Sequence, residues 1–167
     1  MSLNIKVVNS CKFLTIKADQ YDQTSAQAEI KITEVSSGQS YTAIMNYDAQ
    51  GKGNINVPTG LLPSANGVFR ACLSEMGLEY ACVPILIKCD IDCCLTKLTD
   101  ELIDCACDCP RCAKSLAKAQ KIFLLLQSAI EAIEIAGTDV SGAYYQEIAA
   151  KYKKAREICD NSCGCEC

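Results

Sequence analysis

Apolar and polar residues alternate in short runs through the first half of the chain. In residues 28–35, Ile30 and Ile32 share one face while Glu29 and Lys31 share the other, which is the two-residue period of a half-buried strand. Similar runs predict strands at residues 5–8, 12–17, 28–35, 41–47, 54–57, 68–74 and 78–87. Turn-forming residues at 36–38, 48–51 and 62–67 separate them. Short strands at this spacing predict an antiparallel β-sandwich similar to immunoglobulin-like folds, with a small barrel as the alternative.

The pattern changes to a helical period after Asp90. Leu95, Leu98 and Leu102 recur at three- and four-residue steps, so a short helix is predicted to begin near Asp92. A second helix is predicted at residues 111–135 and a third ends at about residue 158, with a break at residues 136–142. The second helix carries Leu116, Ile122, Phe123, Leu126, Ile130 and Ile133. Because a short loop joins the two long helices, we predict an antiparallel helical hairpin.

These patterns together predict an α+β protein of two parts. Residues 1–90 are expected to form the N-terminal β-sandwich domain, and residues 91–167 a cysteine-rich helical hairpin domain. The length of 167 residues suffices for two small domains, and half of the residues are apolar, which is enough to supply a core.

Cysteines concentrate where the hairpin would be open. Antiparallel packing brings the start of the second helix and the end of the third to the same end of the hairpin. Eight cysteines fall there: Cys105, Cys107, Cys109, Cys112, Cys159, Cys163, Cys165 and Cys167. Their thiols suit tetrahedral zinc, disulfides across the open end, or an iron–sulfur cluster. Zinc and disulfides stay open as alternatives, and no redox-partner motif supports a cluster. In each case we expect a structural role.

The remaining cysteines allow two interpretations each. Cys72 and Cys82 flank the turn at residues 76–77 and can meet across a hairpin, but buried free thiols are at least as well supported by the sequence. Cys11 is interpreted in the same way, as a small buried hydrophobe. Three more cysteines straddle the predicted junction between the two parts, where pinning the parts together is the weaker hypothesis: Cys89, Cys93 and Cys94.

Charge and the opening residues bear on partners and compartment. The formal net charge of −4 argues against a general nucleic-acid binder, because neutralising phosphates requires clustered basic residues. The basic run at residues 151–156 lies late on the third predicted helix, where cations favour the negative end of the macrodipole. The first residues lack the order of a secretory signal, and no apolar run is long enough to span a membrane. We therefore expect no membrane partner.

The absence of histidine argues against catalysis. It removes the Ser/His/Asp and Cys/His nucleophile systems and every mixed Cys/His zinc site. The carboxylates at residues 100, 101 and 104 are interpreted as a solvated helix face. Cys109 and Cys112 have the spacing of a thiol-redox motif, but no parallel βαβ pattern precedes them, so a thiol-redox enzyme is the third hypothesis. We expect a protein that is not an enzyme.

Three segments resemble a group of small virion-associated proteins of tailed bacteriophages, including crAss-like phages. They are residues 83–98 with the sequence VPILIKCDIDCCLTKL, the CxCxCPxCAKxLAKA pattern that begins at Cys105, and the cysteine-rich end. Such proteins place a β-domain before a cysteine-punctuated helical hairpin. The resemblance implies a head–tail junction, collar or tail component in the virion, made in the host bacterial cytoplasm.

The resemblance also implies partners. It predicts many symmetry-related copies, as a homo-oligomer or multi-copy ring, bound to portal, neck or tail proteins. A sandwich edge can add strands to a partner, and a rigid hairpin can present an apolar stripe to a neighbour. The alternative from another class is a cytosolic zinc-binding regulatory or interaction module, which predicts stoichiometric zinc and loss of helicity on chelation.

Overall fold

The computed structural model describes residues 6–9, 11–103, 110–136 and 142–161. Within these ranges the chain forms strands first and helices afterwards. The strands are β1 (Lys6–Asn9), β2 (Phe13–Asp19), β3 (Gln27–Glu34), β4 (Ser40–Asn46), β5 (Lys52–Pro58), β6 (Gly67–Glu75) and β7 (Leu78–Ile87). The helices are α1 (Cys89–Ile103), α2 (Pro110–Ala136) and α3 (Gly142–Asp160). The predicted α+β class is confirmed, and each predicted strand and helix has a counterpart.

The strands form two antiparallel sheets. Their orders are β1-β2-β5 and β4-β3-β6-β7. Both sheets contribute to one hydrophobic cluster, with Leu14 and Ile16 from the first sheet and Ile30, Ile32 and Phe69 from the second. Each of these side chains is at most 1% exposed, which confirms the predicted inward face of β3.

The helices cover the other face of the second sheet. Val68 of β6 packs in a cluster with Ala129 and Ala132 of α2 and with Ile148 of α3. Strand β6 is therefore buried on both faces, and its sequence GVFRACLSE lacks the alternation of a half-buried strand. No helix in the described ranges combines the length and apolarity needed to cross a membrane.

Helices α2 and α3 run antiparallel, as predicted. Ala132 near the end of α2 shares a cluster with Ile148, which lies early in α3. Further along, Lys151 donates a hydrogen bond from Nζ to Ser128 Oγ at 2.7 Å. Nearer the start of α2, Ile122 packs with residues of the last turns of α3 and with Leu98 of α1. The three helices thus pack against one another.

Candidate functional site at the junction of sheets and helices

The predicted terminal cysteine group lies mostly outside the described residues. This applies to Cys105, Cys107, Cys109, Cys163, Cys165 and Cys167. Cys112 falls in the first turn of α2. Cys159 lies near the end of α3 and is only 3% exposed, in the cluster that also contains Cys94 and Leu98. The zinc or disulfide clamp at the end of the hairpin therefore stays a prediction.

A disulfide joins the beginning of the β part to the beginning of the helices. The Sγ atoms of Cys11 and Cys89 lie 2.09 Å apart, across a sequence separation of 78. Cys11 lies two residues before the start of β2, and Cys89 is the first residue of α1. The interpretation of Cys11 as a buried free thiol was wrong, because its residue is exposed and its sulfur is bonded. The weaker hypothesis for Cys89, a pinning role at the junction, is the one that the geometry supports.

A second disulfide links β6 to β7. Cys72 and Cys82 are directly opposite in the antiparallel register, with their Cα atoms 4.1 Å apart. The hairpin interpretation of this pair is confirmed, and the free-thiol alternative is wrong. Cys93, on α1, is a half-buried free thiol.

The Glu79 carboxylate completes a candidate metal-binding group around that second disulfide. One ligand atom from each of Cys72, Glu79 and Cys82 lies within 4.8 Å of the others. Two thiolates and a carboxylate suit zinc. The disulfide uses the same two sulfur atoms, so this group can take a metal only after the bond is reduced. The Glu79 carboxylate is paired with Arg70 at 3.2 Å.

Neither protein-family models nor the curated proteins give a match to this sequence.

A network of polar side chains supports the junction beside the Cys11–Cys89 bond. Asp90, in the first turn of α1, accepts hydrogen bonds from the Tyr152 hydroxyl at 3.0 Å and from the Arg156 guanidinium of α3. Its backbone N–H donates to Asn66 Oδ1 at 3.2 Å, which ties α1 to the loop before β6. Burial, and then the Asp90 carboxylate, raise the pKa of Tyr152 well above its usual value. The phenol therefore stays protonated and keeps donating.

A cleft of about 430 Å³ lies beside this network, between α3, the loop before β6 and the turn that follows β3. Glu34 lines one wall and accepts a hydrogen bond from Ser64 at 2.5 Å. Burial pushes the pKa of Glu34 upward, but the hydrogen bonds from Ser37 and Ser64 outweigh it and lower the pKa. Val68 forms part of the apolar floor, and Arg156 faces the cleft while bonded to Asp90. These contacts hold the cleft walls in place.

A buried carboxylate organises the opposite end of the β part. Glu75 is 1% exposed and accepts hydrogen bonds from the backbone N–H groups of Tyr21 and Asp22, at 2.9 and 2.7 Å. The Tyr47 hydroxyl donates a third bond, at 2.6 Å. Burial and the bond to Glu75 raise the pKa of Tyr47. This one side chain therefore ties the β2–β3 connection, the end of β4 and β6 together.

Neither polar network follows from the sequence pattern. Arg156 belongs to a basic run that is predicted to complement the macrodipole of α3, whereas its guanidinium pairs with Asp90, 66 positions earlier. Asp90 stood out only as the point where the periodicity changes. An acidic residue that opens a helix is a signal for an N-terminal contact, but its distant partners leave no mark in the local pattern.

Replacing Asp90 by alanine is expected to lower the free energy of unfolding by about 2 kcal/mol. The change removes a charge-assisted bond to Arg156 and the acceptor of the half-buried Tyr152 hydroxyl. Asp90→Asn keeps one acceptor oxygen and should cost about half as much. Chemical unfolding monitored by circular dichroism measures both. Equal stability of Asp90→Ala and the wild-type chain would contradict a stabilising role, and Asp100→Ala on the same helix is the matched control.

Proposed function

We propose that this chain is a non-catalytic structural protein of a tailed-phage virion, placed in the neck, collar or tail, where it connects neighbouring virion proteins. It is made in the host bacterial cytoplasm and acts as a homo-oligomer or multi-copy ring. Its partners are portal, neck or tail components, and it makes no direct contact with nucleic acid or membrane. The resemblance at residues 83–98 and in the cysteine-rich segments supports the virion setting.

The observation that carries the proposal is the covalent closure between Cys11 and Cys89. Disulfides persist in oxidising surroundings and are rare in a reducing cytoplasm. A virion component is made in a reducing cytoplasm and must endure in oxidising surroundings. A bond that forms on release and joins the β part to the helices suits that passage, because it adds stability when the particle needs it.

Exposed surfaces support a connecting role. Strand β4 is an edge of the four-stranded sheet, and Ile44 on it is 52% exposed. An edge strand offers unpaired backbone groups to which a neighbouring protein can add a strand. At the β6–β7 turn, Met76 and Leu78 are 69% and 62% exposed. Apolar side chains at these two places suit contacts with other proteins.

The β part, in this proposal, is an immunoglobulin-like sandwich. The orders β1-β2-β5 and β4-β3-β6-β7 correspond to strands A-B-E and C′-C-F-G of that fold. Side chains of both sheets meet in one cluster, as the facing layers of a sandwich do. The hairpin ends tied by cysteines complete the proposed architecture.

Quantitative mass spectrometry of purified phage particles tests the assignment. We expect the chain at a fixed copy number per particle, with the peptides that contain Cys11 and Cys89 cross-linked under non-reducing conditions. The same peptides from infected cells, alkylated before lysis, are expected to be unlinked. Absence of the chain from particles that contain their other tail proteins would reject the virion role, and purified particles lacking only this gene serve as the control.

A cytosolic zinc-binding module is the second candidate, and the Cys72–Glu79–Cys82 group favours it. If this group holds zinc, the reduced wild-type chain should bind one more zinc ion than the Cys72→Ala/Cys82→Ala variant. The oxidised chain should lose that difference, because the disulfide removes both thiolates. Native mass spectrometry with and without reductant counts the ions. The same zinc count in the reduced wild-type chain and the reduced variant would eliminate this site.

A further inference from the structure

Two buried cysteines lie where helices α1 and α3 pack against each other. Cys94 of α1 is 0% exposed and Cys159 of α3 is 3% exposed. Both belong to one hydrophobic cluster, which also contains Leu98 and Ala155. A thiol in apolar surroundings packs as a small hydrophobe, and it can also bond to a second thiol that lies within reach. The relative position of the two cysteines therefore decides their role.

Contacts between the helices show that α1 and α3 run in the same direction. Leu98 of α1 packs in the cluster with Ile122 of α2. Further along α1, Glu101 accepts a hydrogen bond at 3.0 Å from Ser115, which lies earlier in α2. Helix α1 is therefore antiparallel to α2. Because α2 is antiparallel to α3 as well, α1 and α3 are parallel.

Asp90 fixes how far the two parallel helices are displaced along each other. Its carboxylate accepts hydrogen bonds from the Tyr152 hydroxyl at 3.0 Å and from the Arg156 guanidinium. These two donors are about one turn apart on α3. Asp90 therefore lies level with the turn at residues 152–156.

Cys94 lies about one turn beyond Asp90, which is roughly 6 Å along the axis. The same step along α3 leads to residues 156–160. The structure describes every residue of this stretch, and Cys159 is the one that is buried. The membership of both cysteines in one cluster agrees with this position. Cys94 and Cys159 therefore face each other across the interface.

Small side chains at this interface let the two helices approach closely. Ala155 is 0% exposed and lies one turn before Cys159 on the same side of α3. Packed helix axes are about 8–10 Å apart, with the smaller distances at contacts between small residues. Because each Cα atom lies about 2.3 Å from its axis, facing Cα atoms come within the roughly 4.4–6.8 Å that a disulfide requires.

A metal site is the competing chemistry for two neighbouring thiols. A structural zinc ion requires four ligands. Within the described ranges, three candidate ligand atoms come close enough together in the Cys72–Glu79–Cys82 group, which contains neither Cys94 nor Cys159. The other buried members of their own cluster are apolar. Two facing thiols in such surroundings suit a disulfide.

We infer that Cys94 and Cys159 form a further disulfide, which joins α1 to α3. The inference goes beyond the proposed function and does not depend on the virion setting. It takes Cys159 out of the predicted clamp at the end of the hairpin. Together with the Cys11–Cys89 bond, it gives a covalent path from the start of β2 through the first turns of α1 to the end of α3.

Bond formation requires an oxidant, and a low-molecular-weight disulfide such as oxidised glutathione supplies it by exchange. The thiolate of one cysteine attacks this disulfide, forms a mixed disulfide and releases one glutathione. The thiolate of the other cysteine then attacks the cysteine sulfur of the mixed disulfide, which forms the Cys94–Cys159 bond and releases the second glutathione. Two electrons pass to the oxidant, and the two protons lost by the cysteines end on the released thiols. Because the folded helices bury both sulfurs, the exchange takes place before α3 docks on α1.

Oxidative refolding of the full reduced chain, followed by peptide mapping, tests the inference. The chain refolds in a glutathione redox buffer, N-ethylmaleimide blocks the remaining thiols, and a protease that cleaves before aspartate digests the protein without reductant. This cleavage gives peptide 92–99, with Cys93 and Cys94, and peptide 139–159, in which Cys159 is the one cysteine. We expect mass spectrometry to find these two peptides joined, and to find them separate after reduction.

Two single variants assign the bond within peptide 92–99. Cys94→Ala should abolish the linked pair of peptides, because it removes the sulfur. Cys93→Ser is the matched control, since Cys93 is the half-buried free thiol next to Cys94, and it should keep the linked pair at its wild-type abundance. Circular dichroism verifies that both variants fold. The wild-type map decides the matter even if Cys94→Ala does not fold.

An oxidised wild-type chain in which peptides 92–99 and 139–159 are each alkylated overturns the inference, as does a bond from Cys159 to any other cysteine peptide. A linked pair that Cys94→Ala retains and Cys93→Ser loses also overturns it. If native mass spectrometry finds one more zinc ion on the reduced wild-type chain than on reduced Cys94→Ala, the thiols belong to a metal site and the inference is wrong. None of these results bears on the virion role, which the particle mass spectrometry tests.

Discussion

The double variant Cys11→Ser/Cys89→Ser is expected to lose about 4.5 kcal/mol of unfolding free energy. The estimate follows from the loop that the bond closes: with a sequence separation of 78, the cross-link removes a large conformational entropy from the unfolded chain. Because the effect acts on the unfolded state, the denaturant m value should rise as well, since the uncrosslinked chain exposes more surface.

Guanidinium unfolding of the oxidised proteins measures both quantities. Cys93→Ser is the matched control, because Cys93 is a half-buried free thiol a few residues away on α1, and its replacement should cost less than about 1 kcal/mol. If the double variant and the control unfolded at the same denaturant concentration, the Cys11–Cys89 bond would have no stabilising role.

Replacing Glu75 by alanine is expected to cost about 4 kcal/mol. Glu75 is 1% exposed, and three partly buried donors would lose it as their acceptor, namely the N–H groups of Tyr21 and Asp22 and the Tyr47 hydroxyl. Each unsatisfied buried donor costs about 1–3 kcal/mol. Glu75→Gln should cost less, because the amide retains one oxygen that accepts hydrogen bonds. It should still be destabilising, because the amide N–H₂ group is a donor that would face other donors.

Glu79→Ala is the matched control for the Glu75 variants. Glu79 lies in the same hairpin with its side chain 50% exposed, and its ion pair with Arg70 is partly open to solvent. Such a pair contributes about 1 kcal/mol or less. Thermal unfolding of the three variants ranks them. A loss for Glu75→Ala no larger than for Glu79→Ala would show that the buried carboxylate does not organise this end of the sheets.

The local pattern predicted the elements because burial imposes a period on the sequence. Ile30 and Ile32 are fully buried on the predicted face of β3, and the proline at position 110 begins α2. The helical period also placed Leu116 and Phe123 among the apolar residues of α2. The helical period did not distinguish these two exposed residues from the buried Ile122, because hydrophobicity alone does not show which face of a helix packs against the rest of the fold.

Long-range pairs were beyond the local pattern. A shift in register between Leu73 and Ser74 places Cys72 opposite Cys82, where uninterrupted pairing from the turn would place Ala81. A register shift of one residue changes which side chains lie opposite each other. This disulfide therefore depends on a β-bulge that cannot be predicted from the sequence pattern. The partner of Cys11 is equally hidden, because many cysteines compete for it and only the fold brings Cys89 near.

The bond between Cys11 and Cys89 also determines how the protein responds to mechanical load. Tension between residue 11 and the helices passes through the sulfur atoms and bypasses β2 to β7, which lie inside the covalent loop. The enclosed chain would extend by roughly 260 Å if it were pulled straight, and that hidden length is released only when the bond is reduced. Under tension between these two points the β part keeps its contour length fixed, a property that suits the proposed connecting role.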